Sequence, residues 1–391
     1  MELSFVILTP YMIRKSRTGA ILARLLGQTS CELVYSQMFA PTKEQADAFI
    51  QCVADSDDPE EQEYRELLRD YIRESFYPSS NGRRHRILML VFQGENAASE
   101  IARIAGSIRI SDSTGETIRD AFGDLIRNRD GSIRHFEPAV FIPEKGLPIQ
   151  EQLSSWIEFS RTEPPVLRKI CEYERPEAVE ETLVLIKPDS WYHPSARPGA
   201  IVDMFSRTGL RIISARVVQF SVSQALDFYK PVREILKQKL APNAAEKAKE
   251  VLEKEFGCTL PASAVSRLQE DVGIPYAEKE FENIVEFMSG RRPSKCPEEE
   301  KDEPGTVKCL ALIYEGEEAV SKIRNVLGPT DPTKAPWGTV RAEFGSDVMV
   351  NTAHASDSRE NAAREISILN MDKKTFEPVV SKILEACHGT E

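Results

Sequence analysis

The chain of 391 residues repeats itself, and that repeat constrains its fold more than any other feature. Phe5-Val-Ile-Leu-Thr9-Pro10 returns as Leu183-Val-Leu-Ile-Lys187-Pro188, 178 positions later. Leu90-Val-Phe-Gln-Gly94-Glu95 returns as Leu312-Ile-Tyr-Glu-Gly316-Glu317, and Thr117-Ile-Arg119 with Phe122-Gly123 returns as Thr339-Val-Arg341 with Phe344-Gly345, both 222 positions later. Three blocks in one order at long period, present in only two copies, point to a duplicated domain and not a solenoid. The step from 178 to 222 places 44 extra residues between the first and second blocks of the later copy. They fall mainly at about 232–280 and 290–305; in the first stretch 245–256 reads as an amphipathic helix capped by Gly257 and 261–270 as a second helix. Residues 291–304 have the composition of a mobile loop.

Within the second copy, strands are expected near 181–187, 211–219, 307–314 and 339–343. Helices are expected near 198–207, 223–230, 317–326 and 358–367. Such alternation gives an α+β or α/β sandwich. The proline-bearing stretch 145–178 reads as a linker between a domain at 1–144 and a domain at 179–391.

Composition narrows the function. A hydrophobic content of 41% supplies real cores, and a net charge of −12 argues against a general nucleic-acid binder while leaving room for a local basic pocket. Seven cysteines, an odd number without C-x-x-C spacing, fit reduced thiols in the cytoplasm better than a disulfide framework or a zinc site. The apolar start of the chain reads as a first strand and not a signal peptide, and no run approaches the ~20 apolar residues of a membrane span.

The chemistry concentrates in Asn351-Thr-Ala-His354-Ala-Ser356-Asp-Ser, which holds one of only five histidines. It follows the apolar alternation of Val348, Met349 and Val350 and precedes a helix whose start looks like a capping box, Asp357 with Glu360. A histidine at such a junction, near outward-pointing amides, is placed to meet an anion.

With Thr-Leu-Val-Leu-Ile-Lys187-Pro-Asp189, Tyr-Glu-Gly-Glu-Glu-Ala-Val320, Arg324-Asn-Val-Leu-Gly-Pro-Thr330, Gly-Thr-Val-Arg341-Ala-Glu-Phe344 and Asn351-x-x-His354-Ala-Ser356-Asp, the second copy resembles the nucleoside diphosphate kinases. The resemblance spans roughly 180–391 and, more weakly, most of 1–140. It implies two tandem α+β domains of ferredoxin-like (βαββαβ) topology, each a four-stranded antiparallel sheet with helices packed on it. It implies ping-pong phosphoryl transfer from NTP to NDP through a phosphohistidine at His354, with Mg2+ arriving on the nucleotide and no dedicated protein metal site. Glu365 would fix the tautomer of His354, and Ser356 would bond Glu365. Lys187, Arg324, Thr330, Arg341 and Asn351 would hold phosphates and ribose, Arg324 and Arg341 as bidentate clamps. Tyr229 would lie near the phosphates, and Phe281 or Tyr276 would stack on the base. In relatives, the loop 328–338 supports trimer contacts within a hexamer, which leaves Trp337 as interface anchor or core residue.

The first copy departs from that pattern. Thr9 stands in place of Lys187, Ala102 in place of Arg324 and Ile108 in place of Thr330, so only Arg119 survives from the phosphate clamp. His135 lacks the surrounding Asn-x-x-His-x-Ser-Asp. This copy is expected not to transfer phosphate and to act instead as a partner surface, giving an intrachain pseudo-dimer or a homo-oligomer. The competing expectation for the whole chain is a weak or inactive nucleotide-binding scaffold. No membrane partner is expected.

Overall fold

The computed structural model describes residues 1–108 and 115–388. They divide into two compact units, one of residues 1–217 with 310–391 and one of residues 218–309.

The first unit holds two four-stranded sheets. β1 (Glu2–Leu8), β2 (Glu32–Phe39) and β3 (Ile87–Gly94) precede a hairpin of β4 (Asp124–Arg127) and β5 (Ile133–Glu137), then β6 (Val140–Phe141). The second half contributes β7 (Val179–Ile186), β8 (Arg211–Val218), β9 (Cys309–Glu317) and β10 (Ala353–Ala355). The sheet orders are β2-β3-β1-β6 and β10-β7-β9-β8. Read from the same end these are one order, and β1, β3 and β7 each run antiparallel to both neighbours. This is the expected ferredoxin-like arrangement, twice. Near-continuous apolar runs such as Leu183–Ile186 are buried because both faces of the sheet are covered.

Three expectations change. The stretch 339–343 is not a strand. Val340–Phe344 forms one helical turn, and the fourth strand is β10 itself, so His354 lies on a strand. The next helix, Arg359–Ile368, is capped by Ser358, whose Oγ accepts the Asn361 amide; Asp357 instead accepts from the Asn361 side chain at 2.6 Å. The stretch 145–178 is more than a linker. It contains the helix Ile149–Ser160, whose Leu153, Trp156 and Phe159 enter the core of the first sheet. The last helix, Phe376–His388, sends Phe376, Val380 and Leu384 into that same core. Divisions at 144 and 179 therefore do not coincide with compact units.

The two halves of this unit meet through helices Thr18–Gln28 and Arg197–Ser206. A Cβ added to Gly19 would lie 2.2 Å from the Asp203 amide nitrogen, and one added to Gly199 would lie 2.0 Å from that of Ala23. Only glycine permits backbones this close. The pairs Gly19–Asp203 and Ala23–Gly199 exchange partners under a shift of 180 residues, the contact pattern of an isologous, two-fold interface.

The second unit is helical. One helix runs over Val222–Phe256, with Ser221 and Gln224 forming a capping box and Gly257 in the left-handed conformation at its end. Separate helices at 223–230 and 245–256 were expected, yet the helix continues through Pro231 and Pro242. An interior proline costs about 3 kcal/mol. Packing against helix Ile274–Ser289 and the turn before it offsets this, and at Gly273 a Cβ would come within 2.3 Å of the Ala241 carbonyl oxygen. The expected mobile loop 291–304 is pinned by Arg291–Glu300, Arg292–Glu282 and Arg292–Glu286 ion pairs and carries two short 3-10 turns.

Candidate active site

The candidate site is assembled at the edge strand β10. Strand pairing sets Ala353 opposite Ile186 and His354 opposite Leu185. Nε2 of His354 lies 2.9 Å from Oε2 of Glu365, and Ser356 Oγ donates to the same oxygen at 2.6 Å. Glu365 and Ser356 are buried, whereas the His354 side chain is 22% exposed. A buried carboxylate held on two sides fixes an N–H at Nε2, which leaves the Nδ1 lone pair as the nucleophilic position. Arg364 reaches the other oxygen of Glu365 at 3.7 Å.

Beside this triad lies a second cluster. Lys187 follows β7 and its Nζ donates to Asn351 Oδ1 at 2.8 Å and to the Met349 carbonyl at 3.0 Å. Asn351 Nδ2 in turn donates to the carbonyls of Val348 at 2.7 Å and Thr330 at 3.2 Å. The buried ammonium is thus held by neutral oxygens on two sides, with the Asp189 carboxyl acting on it electrostatically. Thr352 stands at φ 77 between Asn351 and β10. Its carbonyl accepts the Lys187 amide at 2.9 Å and its hydroxyl accepts from Arg197 at 3.0 Å. Arg197 also pairs with Asp189 at 2.7 Å. Burial pushes the Asp189 carboxyl up, and the Arg197 and Lys187 charges work against that rise.

The arginines divide. Arg341 donates from Nη1 to the Gly328 carbonyl and from Nη2 to the Ala353 carbonyl, each at 3.0 Å, and is buried. Both ends of its fork thus hold main chain, which ties the 328–338 loop to the strand of His354. Arg324, on helix Ala319–Leu327, is exposed, as is Thr330. Trp337 is fully exposed, which removes the core reading of that residue.

Tyr229 and Phe281 belong to the second unit. Tyr229 is buried beside Phe228, with ring centroids 5.1 Å apart. Phe281 is buried and the Arg233 guanidinium lies 5.4 Å from its ring, so it presents no open face to a base. Tyr276 is 44% exposed.

The first sheet repeats the scaffold without the chemistry. Arg119 donates to the carbonyls of Gly106 and Val140 at 2.7 and 3.1 Å, as Arg341 does to Gly328 and Ala353. Burial lowers its guanidinium to about 10, still a cation at neutral pH. Gly106 and Gly328 share one conformation, φ 84 and 85. Ala139 stands at φ 61, and its carbonyl accepts the Thr9 amide, as that of Thr352 accepts Lys187. The residue after Val140, matching His354, is therefore Phe141, which is buried. His135 lies elsewhere, on the β4–β5 hairpin. Thr9 donates to Glu137 at 2.9 Å and Tyr71 to its other oxygen at 2.7 Å, a closed buried cluster in which desolvation raises the Glu137 carboxyl. The positive-φ residue before the edge strand is the signal that aligns Phe141 with His354, and it is not readable from residue types.

Among the described residues no group of three His, Cys, Asp or Glu is placed to hold a metal ion, and no helix is long and apolar enough to cross a membrane.

Comparison with known proteins bears on the family. A family model described as nucleoside diphosphate kinase matches residues 302–375. The nucleoside diphosphate kinase of Chlamydia caviae is 30% identical over 189 residues, covering 48% of this chain and 91% of the relative. That of Chlamydia trachomatis is 31% identical over the same shares. A solved nucleoside diphosphate kinase of Aquifex aeolicus aligns at 26% identity over 49% of this chain and 94% of its own, with a TM-score of 0.31. With relatives matched over nine-tenths of their length at this identity, the chain belongs to the nucleoside diphosphate kinase family.

Proposed function

We propose that this protein is a nucleoside diphosphate kinase whose working site is built on His354, in the second half of the chain. The observation that carries the reading is the buried Glu365 carboxylate on Nε2 of His354, with Ser356 on the same oxygen. Nδ1 attacks the terminal phosphorus of an NTP. The N–P bond forms as the bond to the bridging oxygen breaks, and NDP departs with that electron pair. The ring gains positive character, which the Glu365 anion stabilises while keeping the Nε2 proton. A second NDP reverses the step and leaves as NTP.

Phosphoryl transfer asks the protein mainly for position and charge. Lys187 and the exposed Arg324 supply cationic donors for the phosphates, Thr330 a hydroxyl, and Asn351 fixes Lys187 and borders the ribose. Arg341 acts by holding the main chain on either side of the site. The site's buried carboxylates are both engaged, Glu365 by His354 and Ser356 and Asp189 by Arg197, a donor set that fits Mg2+ carried on the nucleotide by phosphates and water. Bound there, Mg2+ would neutralise phosphate charge.

The first sheet is read as a duplicated copy without a nucleophile, serving as the built-in partner of the second across the Gly19–Gly199 contact. The seven free cysteines fit a reducing, cytoplasmic setting. The reading is tested by phosphate exchange between ATP and several NDPs. Turnover is expected for the intact chain and a loss of at least about a thousandfold for His354→Ala. Nucleotide binding without turnover in the intact chain would instead establish a scaffold.

A further inference from the structure

A cavity of about 350 Å³ lies within the first unit, between its two halves and apart from the His354 cluster. That size is at the low end for small-molecule sites, roughly 300–1,000 Å³. Five arginines line it: Arg14, Arg83, Arg84, Arg86 and Arg211. In a chain of net charge −12 such convergence is unexpected from composition.

The local charges do not cancel. Arg84 pairs with the buried Glu163 at 2.6 Å and Arg83 with Glu172 at 3.2 Å. The other three have no carboxylate in ion-pair contact among the described residues. Among the described residues Arg86 donates only to the Ile212 carbonyl. Arg211 donates to the Glu172 carbonyl at 3.0 Å and lies 4.7 Å from the Tyr173 ring centroid. Arg14 is exposed, and its side chain has no hydrogen bond or ion pair among the described residues. Glu315 is the remaining acid that acts on Arg86 and Arg211; the Tyr173 hydroxyl holds it at 2.9 Å, and burial raises its carboxyl. His85, bonded to Ser79 at 3.0 Å, is held below its usual range by burial and then by Arg14 and Arg83, so those two cations converge on one point. A neutral imidazole there can donate or accept. Ile13, Val202 and Leu210 add apolar surface to the lining.

Keeping cations this close costs Coulomb and desolvation energy that a bound anion would relieve. We propose that this cavity is a second ligand site, in which Arg14, Arg86 and Arg211 receive the phosphate dianion of a small phosphorylated molecule. Planar guanidinium forks suit that group, and the apolar lining residues accommodate an organic body. The proposal stands independently of phosphoryl transfer at His354.

Calorimetry on the full-length protein at low salt, with inorganic phosphate and with AMP as probes, tests it. Two variant sets separate the sites: Arg14→Gln with Arg211→Gln in the cavity, and Arg324→Gln with His354→Ala in the family site. One binding event should weaken at least tenfold in the cavity variant and survive in the other, with nucleotide turnover unchanged in the cavity variant. Tighter AMP than phosphate would identify an organic phosphate as the ligand, and equal affinity would identify free phosphate. The single variant Arg14→Glu, at an exposed side chain with no structural bond, guards against misfolding and should weaken the same event. Binding that is indifferent to all cavity variants, or absent from the family-site variant, would overturn the proposal.

Discussion

Replacing Gly199 by alanine tests how the two halves of the first unit meet. The new Cβ would lie 2.0 Å from the Ala23 amide nitrogen, 2.4 Å from its Cα and 2.5 Å from the Gly19 carbonyl oxygen. Ordinary contact begins at 3.4 Å, so the helices must part by roughly 1.4 Å. No side chain can rotate away, because the obstructing atoms are main chain. Overpacking typically costs about 1–3 kcal/mol, and this site belongs at the upper end. Alanine's better helix propensity returns about 1 kcal/mol, leaving a net loss of about 2 kcal/mol. Urea unfolding followed by circular dichroism should show that loss, with the Tm lowered by several degrees. Two controls sharpen the result. Gly27→Ala, on the facing helix Thr18–Gln28 with its nearest neighbour at 3.3 Å, should stay within about 1 kcal/mol of the parent. Ala23→Gly combined with Gly199→Ala should give no rescue, since the removed methyl is not the obstruction. A neutral or stabilised Gly199→Ala would refute backbone contact between these helices.

Glu365→Gln should lower the rate of His354 phosphorylation about 10- to 100-fold, as second-layer partners of reactive histidines do; rapid-quench measurement of the first turnover would read it, and an unchanged rate would remove Glu365 from the mechanism. Arg119→Met should destabilise the fold measurably while leaving turnover per folded molecule intact, because Arg119 holds the Gly106 and Val140 carbonyls in the half without a nucleophile. Glu100 accepts from Thr29 and Ser30, and these bonds, the Ser30 hydroxyl first, lower its carboxyl to about 2. Its folded value lies below the unfolded one, so its stabilisation is present above about pH 4.5 and is lost as pH falls toward 2; acid titration of stability in Glu100→Gln should lack that component.

The sequence carried the two-copy plan because strands β1, β3, β7 and β9 are buried on both faces and their apolar runs recur in register. The triad was legible because His354, Ser356 and Glu365 lie on adjacent elements, where spacing translates into proximity. Other features depend on tertiary context. Thr339-Val340-Arg341 looks strand-like by residue type, yet it forms a helical turn because Arg341 must reach two carbonyls at once. Val348, Met349 and Val350 alternate like a strand, but Asp347 accepts the amides of Met349 and Val350 at 2.7 Å each and folds them into a turn. The helix at Ile149–Ser160 was obscured by its flanking prolines, and its apolar face is satisfied by a sheet far away in sequence. The burial of Phe281 and the 44% exposure of Tyr276 were not legible, because burial within the inserted helices is set by their packing, which residue identity does not encode. Gly19-Ala20-Ile21 and Gly199-Ala200-Ile201 were a readable pair that marks the helix contact.

The central claim is that Nδ1 of His354 carries the phosphoryl group. The direct measurement is 31P and 15N NMR of the protein after incubation with ATP and Mg2+, read alongside intact mass. The account predicts one acid-labile phosphoryl per chain, bonded to Nδ1, discharged by added NDP and missing in His354→Ala. A phosphoryl on Nε2, on another residue, or one that persists in His354→Ala would contradict it.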